Sequence, residues 1–198
     1  GRLMKKRKIM ILGAGVYQKP LIEAALKMDL EIHVASLPGN YPGIEIAPNF
    51  HPFDITDEQA ILELCEKLEI DGILTTATDI CIPTIGLVID SLGLAGTGYT
   101  SSFACMDKSI MKTKFVENNV PTANYQDINN ENEAKKFFEE NEGPCVIKAT
   151  DSSGSRGIIR IDSIDEIRNA FKEALANSSN GTVLIEEWLT GEEFGAQA

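Results

Sequence analysis

The stretch from Cys145 to Ile161 does most to limit the possible folds. Two short runs rich in branched apolar residues, Cys145-Val146-Ile147-Lys148-Ala149 and Ile158-Ile159-Arg160-Ile161, flank Thr150-Asp151-Ser152-Ser153-Gly154-Ser155-Arg156-Gly157. Runs of this length separated by Ser and Gly predict an antiparallel hairpin with a long, mobile tip. Lys148 is the anomaly, because an ammonium inside a strand must leave the sheet face toward a partner rather than be buried unpaired. Successive backbone N–H groups and hydroxyls of a small-residue loop can close around a phosphate. Lysine and loop together suggest a polyphosphate ligand; the alternative is an exposed hairpin with Lys148 at a sheet edge.

A chain of 198 residues can form one large domain or two small ones. Its 43% hydrophobic and 24% charged residues are globular values. A net charge of -12 argues against nucleic acid or an anionic membrane surface as the main partner. Any phosphate must therefore be met by local positive groups. Cys65, Cys81, Cys105 and Cys145 form no C-x-x-C pair and read as reduced core residues of a cytoplasmic protein. No apolar run has the length of a membrane span. Gly1-Arg2-Leu3 ahead of Met4 read as an added leader and are set aside.

Along the chain, Lys8–Leu12 predicts a buried strand, followed by Gly13-Ala14-Gly15 and a helix from Pro20. A second strand, Glu31–Ser36, completes a parallel unit. Gln18 and Lys19 stand where a dinucleotide fingerprint would place its third glycine, and no acid ends the second strand, so a nicotinamide site is disfavoured. Residues 37–52, rich in Pro and Gly, read as a loop. Thr56 and Gln59 form a capping box for the next helix. Residues 71–76 are a strand ending in Ala77-Thr78-Asp79, where open parallel sheets place ligands; Asp79 either caps the helix from Cys81 to Leu92 or touches substrate. His33 and His51 read as isolated.

After Gly98 the pattern changes. Ser101–Asn118 reads as a helix broken near Asp107-Lys108, then a strand over 123–127 and a helix started by Asn130 with Glu133. The hairpin follows, then a helix with the capping box Ser163 and Glu166, and the strand Val183-Leu184-Ile185-Glu186-Glu187. Trp188–Ala196 reads as turning into another strand. The expectation is a Rossmann-like parallel α/β domain over 4–98 and an α+β domain with an antiparallel sheet over 99–198.

Four features combine: Asp107-Lys108 opening a helix, Lys148 in a strand, the loop 152–157, and Glu186-Glu187-Trp188-Leu189 followed by Gly191-Glu192-Glu193. Their order resembles the ATP-grasp family, in the group with a Rossmann-like leading (preATP-grasp) domain: biotin carboxylase, carbamoyl phosphate synthetase large subunit and purine-biosynthetic carboxylate-amine ligases. The resemblance implies that Lys108 and Lys148 reach the phosphates of ATP and that Ser152, Ser153, Gly154, Ser155, Arg156 and Gly157 form a flap over them. It implies an adenine hinge in which the Glu187 carbonyl faces the amino group and the Leu189 N–H a ring nitrogen, with Ile147 and Leu189 sandwiching the base. Glu193 falls at a ribose-binding position. The alternative for Glu186 and Glu187 is a strand with one buried and one exposed acid and no ligand.

The flap is serine-rich where many relatives have consecutive glycines, but hydroxyls also donate to phosphate. The family's Mg2+ ligands, acids on later strands, have no counterpart and are expected beyond Ala198, so no metal or catalytic residue is assigned within the chain. The resemblance thus implies the first part of an ATP-dependent ligase, inactive alone, that activates a small carboxylate as an acyl phosphate for an amine, with Gly13, Gly15, Gln18 and Asp79 edging the substrate pocket. A homodimer is compatible with it. The alternative is a non-catalytic nucleotide-binding or regulatory module.

Overall fold

The computed structural model describes residues 5–152 and 154–195. Two units emerge, Gly1–Met106 and Asp107–Ala198. In the first, β1 (Arg7–Leu12), β2 (Leu30–Ser36), β3 (Asn49–Pro52) and β4 (Gly72–Leu74) form a sheet in the order β3-β2-β1-β4. Every pairing is parallel. The apolar run of β1 is continuous because both sheet faces are covered. Ile11 packs with Ile22 and Ala25 of α1 (Lys19–Leu26), whereas Met10 and Leu12 pack on the other side with Ile61, Leu64 and Cys65 of α3 (Glu58–Leu68) and Val88 of α4 (Ile82–Leu92). A short helix, α5 (Tyr99–Ala104), packs on α4. Among the described residues no helix is long and apolar enough to cross a membrane.

Several expectations for this unit are corrected. The 37–52 loop contains α2 (Pro42–Ile46) and the edge strand β3, which pairs in register from His33↔Asn49 to Ser36↔Pro52. Pro52 is tolerated because it closes the strand at a sheet edge, where its missing donor is not needed. The α3 cap is Asp57, whose carboxylate accepts the Ala60 N–H at 3.1 Å; Thr56 instead gives its N–H and hydroxyl to Asp54. Asp79 does not cap α4 through its side chain; its carbonyl accepts the Ile82 N–H. Of the cysteines, Cys105 is exposed while Cys65, Cys81 and Cys145 are buried. Burial pushes the Cys65 thiol up to about 12 and that of Cys145 up to about 11.

Nor are the two histidines isolated. Parallel pairing of β2 and β3 stacks their rings, with His33 Nδ1 2.9 Å from His51 Nε2 and His33 Nε2 2.9 Å from Glu31 Oε1. Burial, and then the neighbouring His33, lower the pKa of His51. A base whose folded pKa is depressed binds fewer protons folded than unfolded, so the unit loses stability as pH falls below the unfolded value of about 6.5. Urea unfolding at stepped pH should show this decline, and His51→Asn should flatten it; an unchanged slope in the variant would assign the decline to other groups.

The second unit carries α6 (Lys108–Glu117), β5 (Tyr125–Ile128), α7 (Glu131–Asn141), β6 (Cys145–Ala149), β7 (Ile158–Ile161), a 3-10 turn at Ile164–Glu166, α8 (Ile167–Ala176) and β8 (Val183–Glu187). The sheet order is β5-β8-β6-β7, antiparallel throughout. The hairpin forms as expected, from Cys145↔Ile161 to Lys148↔Ile158. Helix starts follow their caps: Asp107 accepts from Ile110 N, Asn130 from Glu133 N, and Glu166 closes the capping box at Ser163.

The period of two divides this sheet's faces. Cys145, Ile147, Val183 and Ile185 pack under α7 and α8 with Ile167, Ala170 and Phe171. Val146, Lys148, Leu184 and Glu186 therefore point to the opposite face. Ile147 is fully buried among the helices and cannot sandwich a base on the lysine side, a correction to the expected adenine contact. The strand expected over Trp188–Ala196 does not form across Trp188–Gly195; Ala196 lies outside the described residues.

Candidate nucleotide site

On that face β6 and β8 set Lys148 diagonally across from Glu186, since Val146 is the direct partner of Glu186 and Lys148 that of Leu184. Glu186 is 5% exposed, yet its carboxylate is held between two ammonium groups. Lys148 Nζ donates to Oε1. Lys112 Nζ, from α6, stands 2.6 Å from Oε2. Lys112 also donates to Thr122 Oγ1 at 2.7 Å and the Ala123 carbonyl at 3.4 Å, and lies over the Tyr125 ring. A buried carboxylate this well paired avoids the desolvation penalty of an isolated charge.

Lys108 opens α6, whose first turn abuts the start of the hairpin loop. Its amide donates to the Thr150 carbonyl at 2.8 Å and its ammonium to the Ser152 carbonyl at 2.6 Å. Burial, and then the positive charge of Lys148, lower the Lys108 pKa. The base of the loop is pinned: Asp151 accepts the N–H groups of Ser179 and Asn180, and Asn180 donates to Asp107. Gly154, Ser155 and Gly157 have φ of 66°, 60° and 62°. At Gly157 a Cβ would come within 2.7 Å of the Asn177 Cβ, so that position requires glycine on two counts. Ser152 Oγ donates to the Arg156 carbonyl across the turn. Ser153 lies outside the described residues.

Beside the cluster is a cavity of about 410 Å3, lined by Lys112, Val146, Lys148, Ile158, Glu186 and the segment Glu187-Trp188-Leu189 along with residues 121–123. At its rim the sheet ladder is altered. Glu187 N donates to the Asn124 carbonyl, but Asn124 N turns to Glu187 Oε1 at 2.9 Å instead of the Glu187 carbonyl. Trp188 N donates to the Pro144 carbonyl, and the indole stacks 4.5 Å from the Arg160 guanidinium. Leu189 is exposed at the cavity edge. Glu193 is exposed and does not line it. Lys148, Glu186 and the segment Glu187-Trp188-Leu189 thus line one cavity, while Lys108 stands at the base of the loop. Sequence reasoning missed Lys112, Thr122, Val146 and Ile158; the signal for Lys112 was its i+4 spacing from Lys108 on one helix.

In the first unit, Gly13, Gly15 and Gln18 line a second cavity of about 250 Å3 with Ser36, Tyr41 and Asp54 at the carboxyl ends of the strands. Asp79 does not line it, though its neighbours Thr78 and Ile80 do. Gln18 explains the absent third glycine: its Oε1 accepts the Gly15 N–H at 3.0 Å and its Nε2 donates to the Thr76 carbonyl at 2.7 Å, so the side chain fills the turn.

The second unit is therefore an α+β module with lysines on its open sheet face and a glycine-serine hairpin, the fold class of an ATP-grasp subdomain. Residues 106–198 match the family of the phosphoribosylglycinamide synthetase ATP-grasp (A) domain. Over 195 residues the chain is 29% identical to the phosphoribosylamine–glycine ligase of Neisseria meningitidis serogroup A, covering 94% of this chain and 45% of that protein. It resembles the crystal structure of phosphoribosylglycinamide synthetase from Anaerococcus prevotii, with a TM-score of 0.73 and 27% identity over 94% of this chain and 47% of the other. The biotin carboxylase domain of a Hydrogenobacter thermophilus 2-oxoglutarate carboxylase, solved with MgADP and bicarbonate, shares the fold with a TM-score of 0.77 at 17% identity, over 92% and 44%. The chain thus spans under half the length of these relatives.

Proposed function

We propose that the chain is the leading and first ATP-gripping part of an ATP-dependent carboxylate-amine ligase. The observation that carries the reading is the Lys148–Glu186–Lys112 cluster beside a cavity whose rim offers the Glu187 carbonyl, its ladder donor diverted to its own carboxylate. Adenine would lie between Val146, Ile158 and Leu189, with its amino group on that carbonyl and a ring nitrogen on the Leu189 N–H. Lys148 and Lys108 would meet the phosphates as compact point charges. The loop 152–157 would close over them and exclude water.

Positioning and charge neutralisation would then carry transfer of the γ-phosphoryl group to a carboxylate, and an amine would displace phosphate. The names of the relatives point to glycine as the carboxylate and a phosphoribosylamine as the amine. Gly13, Gly15 and Gln18 would edge the pocket for those substrates. ATP fits the residues present. Mg2+ has no matching donor set, since among the described residues no group of three or more His, Cys, Asp or Glu is placed to hold a metal.

Calorimetric titration of ATP, ADP and NADH into the natural full chain tests the reading. Binding of ATP and ADP without NADH is the expected result. Binding of NADH alone would move the site to the Gly13–Gly15 turn, and binding of none would leave the hairpin a structural element.

A further inference from the structure

The ligase reading leaves one buried cation without a task. Lys112 is not at the loop, and its ammonium is already committed to Thr122, Ala123 and Glu186. We propose that Lys112 is the resident counter-ion of Glu186, a positioning residue that lets Lys148 exchange from Glu186 to the phosphates of bound nucleotide. The inference rests on the ATP-binding reading of this site.

The asymmetry between the two lysines supports it. The Lys112 side chain is 10% exposed and the Lys148 side chain 23%, around a Glu186 side chain that is 7% exposed. Lys112 is fastened by two further acceptors and a ring. Among the described residues, the Lys148 ammonium meets no acceptor other than Glu186. Lys148 also sits two residues before Thr150, where the chain leaves β6 for the loop, so it is the lysine that can turn toward a ligand there.

Departure of Lys148 would be prohibitive if it left Glu186 buried and unpaired. Lys112 removes that obstacle because its charge is already 2.6 Å from Oε2. The contact is not yet an aligned hydrogen bond, and Oε2 is fully buried with no hydrogen-bond partner. An unused acceptor beside a resident cation lets Glu186 exchange one aligned partner for another without entering water. With Lys112 absent, Lys148 would be locked on Glu186 and unavailable to phosphate.

The test is binding of ATP by calorimetry and of adenosine by competition, in the natural full chain and in Lys112→Met, Glu186→Gln and the double variant. Lys112→Met should weaken ATP by roughly tenfold or more while leaving adenosine within about twofold. In the Glu186→Gln background, where no carboxylate holds Lys148, the same change should leave the ATP-to-adenosine ratio nearly constant. Equal weakening of ATP and adenosine would make Lys112 merely structural, and loss of the ratio in the Glu186→Gln background would make it a direct phosphate contact; either overturns the proposal, as does an unaffected Lys112→Met. Should Lys112→Met fail to fold, Lys112→Gln, which keeps a donor and removes the charge, takes its place in the same comparison with the same expected and overturning results. If the parent chain binds no adenine nucleotide, the ATP-binding reading itself falls, and this proposal with it.

Discussion

Glu186→Ala is expected to destabilise the second unit by roughly 3–5 kcal/mol, the cost of breaking a buried ion pair from one side. Glu186 lies on an interior strand and is almost fully buried, with a lysine on each carboxylate oxygen. Its removal would leave Lys112 buried without a counter-charge and Lys148 beside it. Lys148 can swing outward, which places the loss toward the lower end of that range. Glu186→Gln keeps volume and acceptor, and should cost less than the alanine variant. Trp188 is the sole tryptophan and adjoins β8, so its fluorescence during urea unfolding reports on this unit. A loss under about 1 kcal/mol would put the cluster in the class of solvated surface pairs, whatever its burial.

The hairpin was legible because each level of the sequence agrees there. Branched apolar runs set the strands, the Ser/Gly segment sets the turn, and the misplaced Lys148 announces a partner across the sheet. The helix starts at Asn130 and Ser163 were equally legible, since a cap is a contact over three residues. Ile147 shows where such reading stops: a period of two sorts Val146 and Ile147 to opposite faces but does not say which face the helices cover. Only the packing of α7 and α8 decides that, and it gives the cavity wall to Val146.

Two of the missed pairings are long-range and two are local. His33 and His51 meet through the register of a four-residue edge strand with almost no pattern of its own. Lys112 and Glu186 are far apart in the chain, and one side chain's charge carries no address. Gln18 reads in the sequence as a departure from a glycine fingerprint, yet in the fold it is the residue that satisfies the turn. At Thr56 the box pattern was present, but Asp57 competes for the same position, and a carboxylate at an N-cap gains from the helix dipole as well as from the hydrogen bond.

Lys148→Ala is expected to weaken ATP and ADP binding by a factor of ten or more, about 1.4 kcal/mol. Two terms set this size. An ammonium about 4 Å from a phosphate gains at most about 4 kcal/mol at the effective dielectric of a partly buried site. Part of that is offset because Lys148 must first leave Glu186, to which it is bonded in the free protein. The net effect therefore lies below the Coulomb figure but above the background of an exposed pair. Adenosine, which offers no phosphate, should bind Lys148→Ala as it binds the parent. Stability should change much less than in Glu186→Ala, because Lys112 still compensates the carboxylate that Lys148 deserts. The two variants thus separate binding from folding at one cluster: Glu186→Ala should act chiefly on unfolding, Lys148→Ala chiefly on the phosphate-dependent part of affinity. Calorimetry of ATP, ADP and adenosine beside urea unfolding reads both. Affinity for ATP indifferent to Lys148 would remove this lysine from the phosphate site and leave its pair with Glu186 as its whole role.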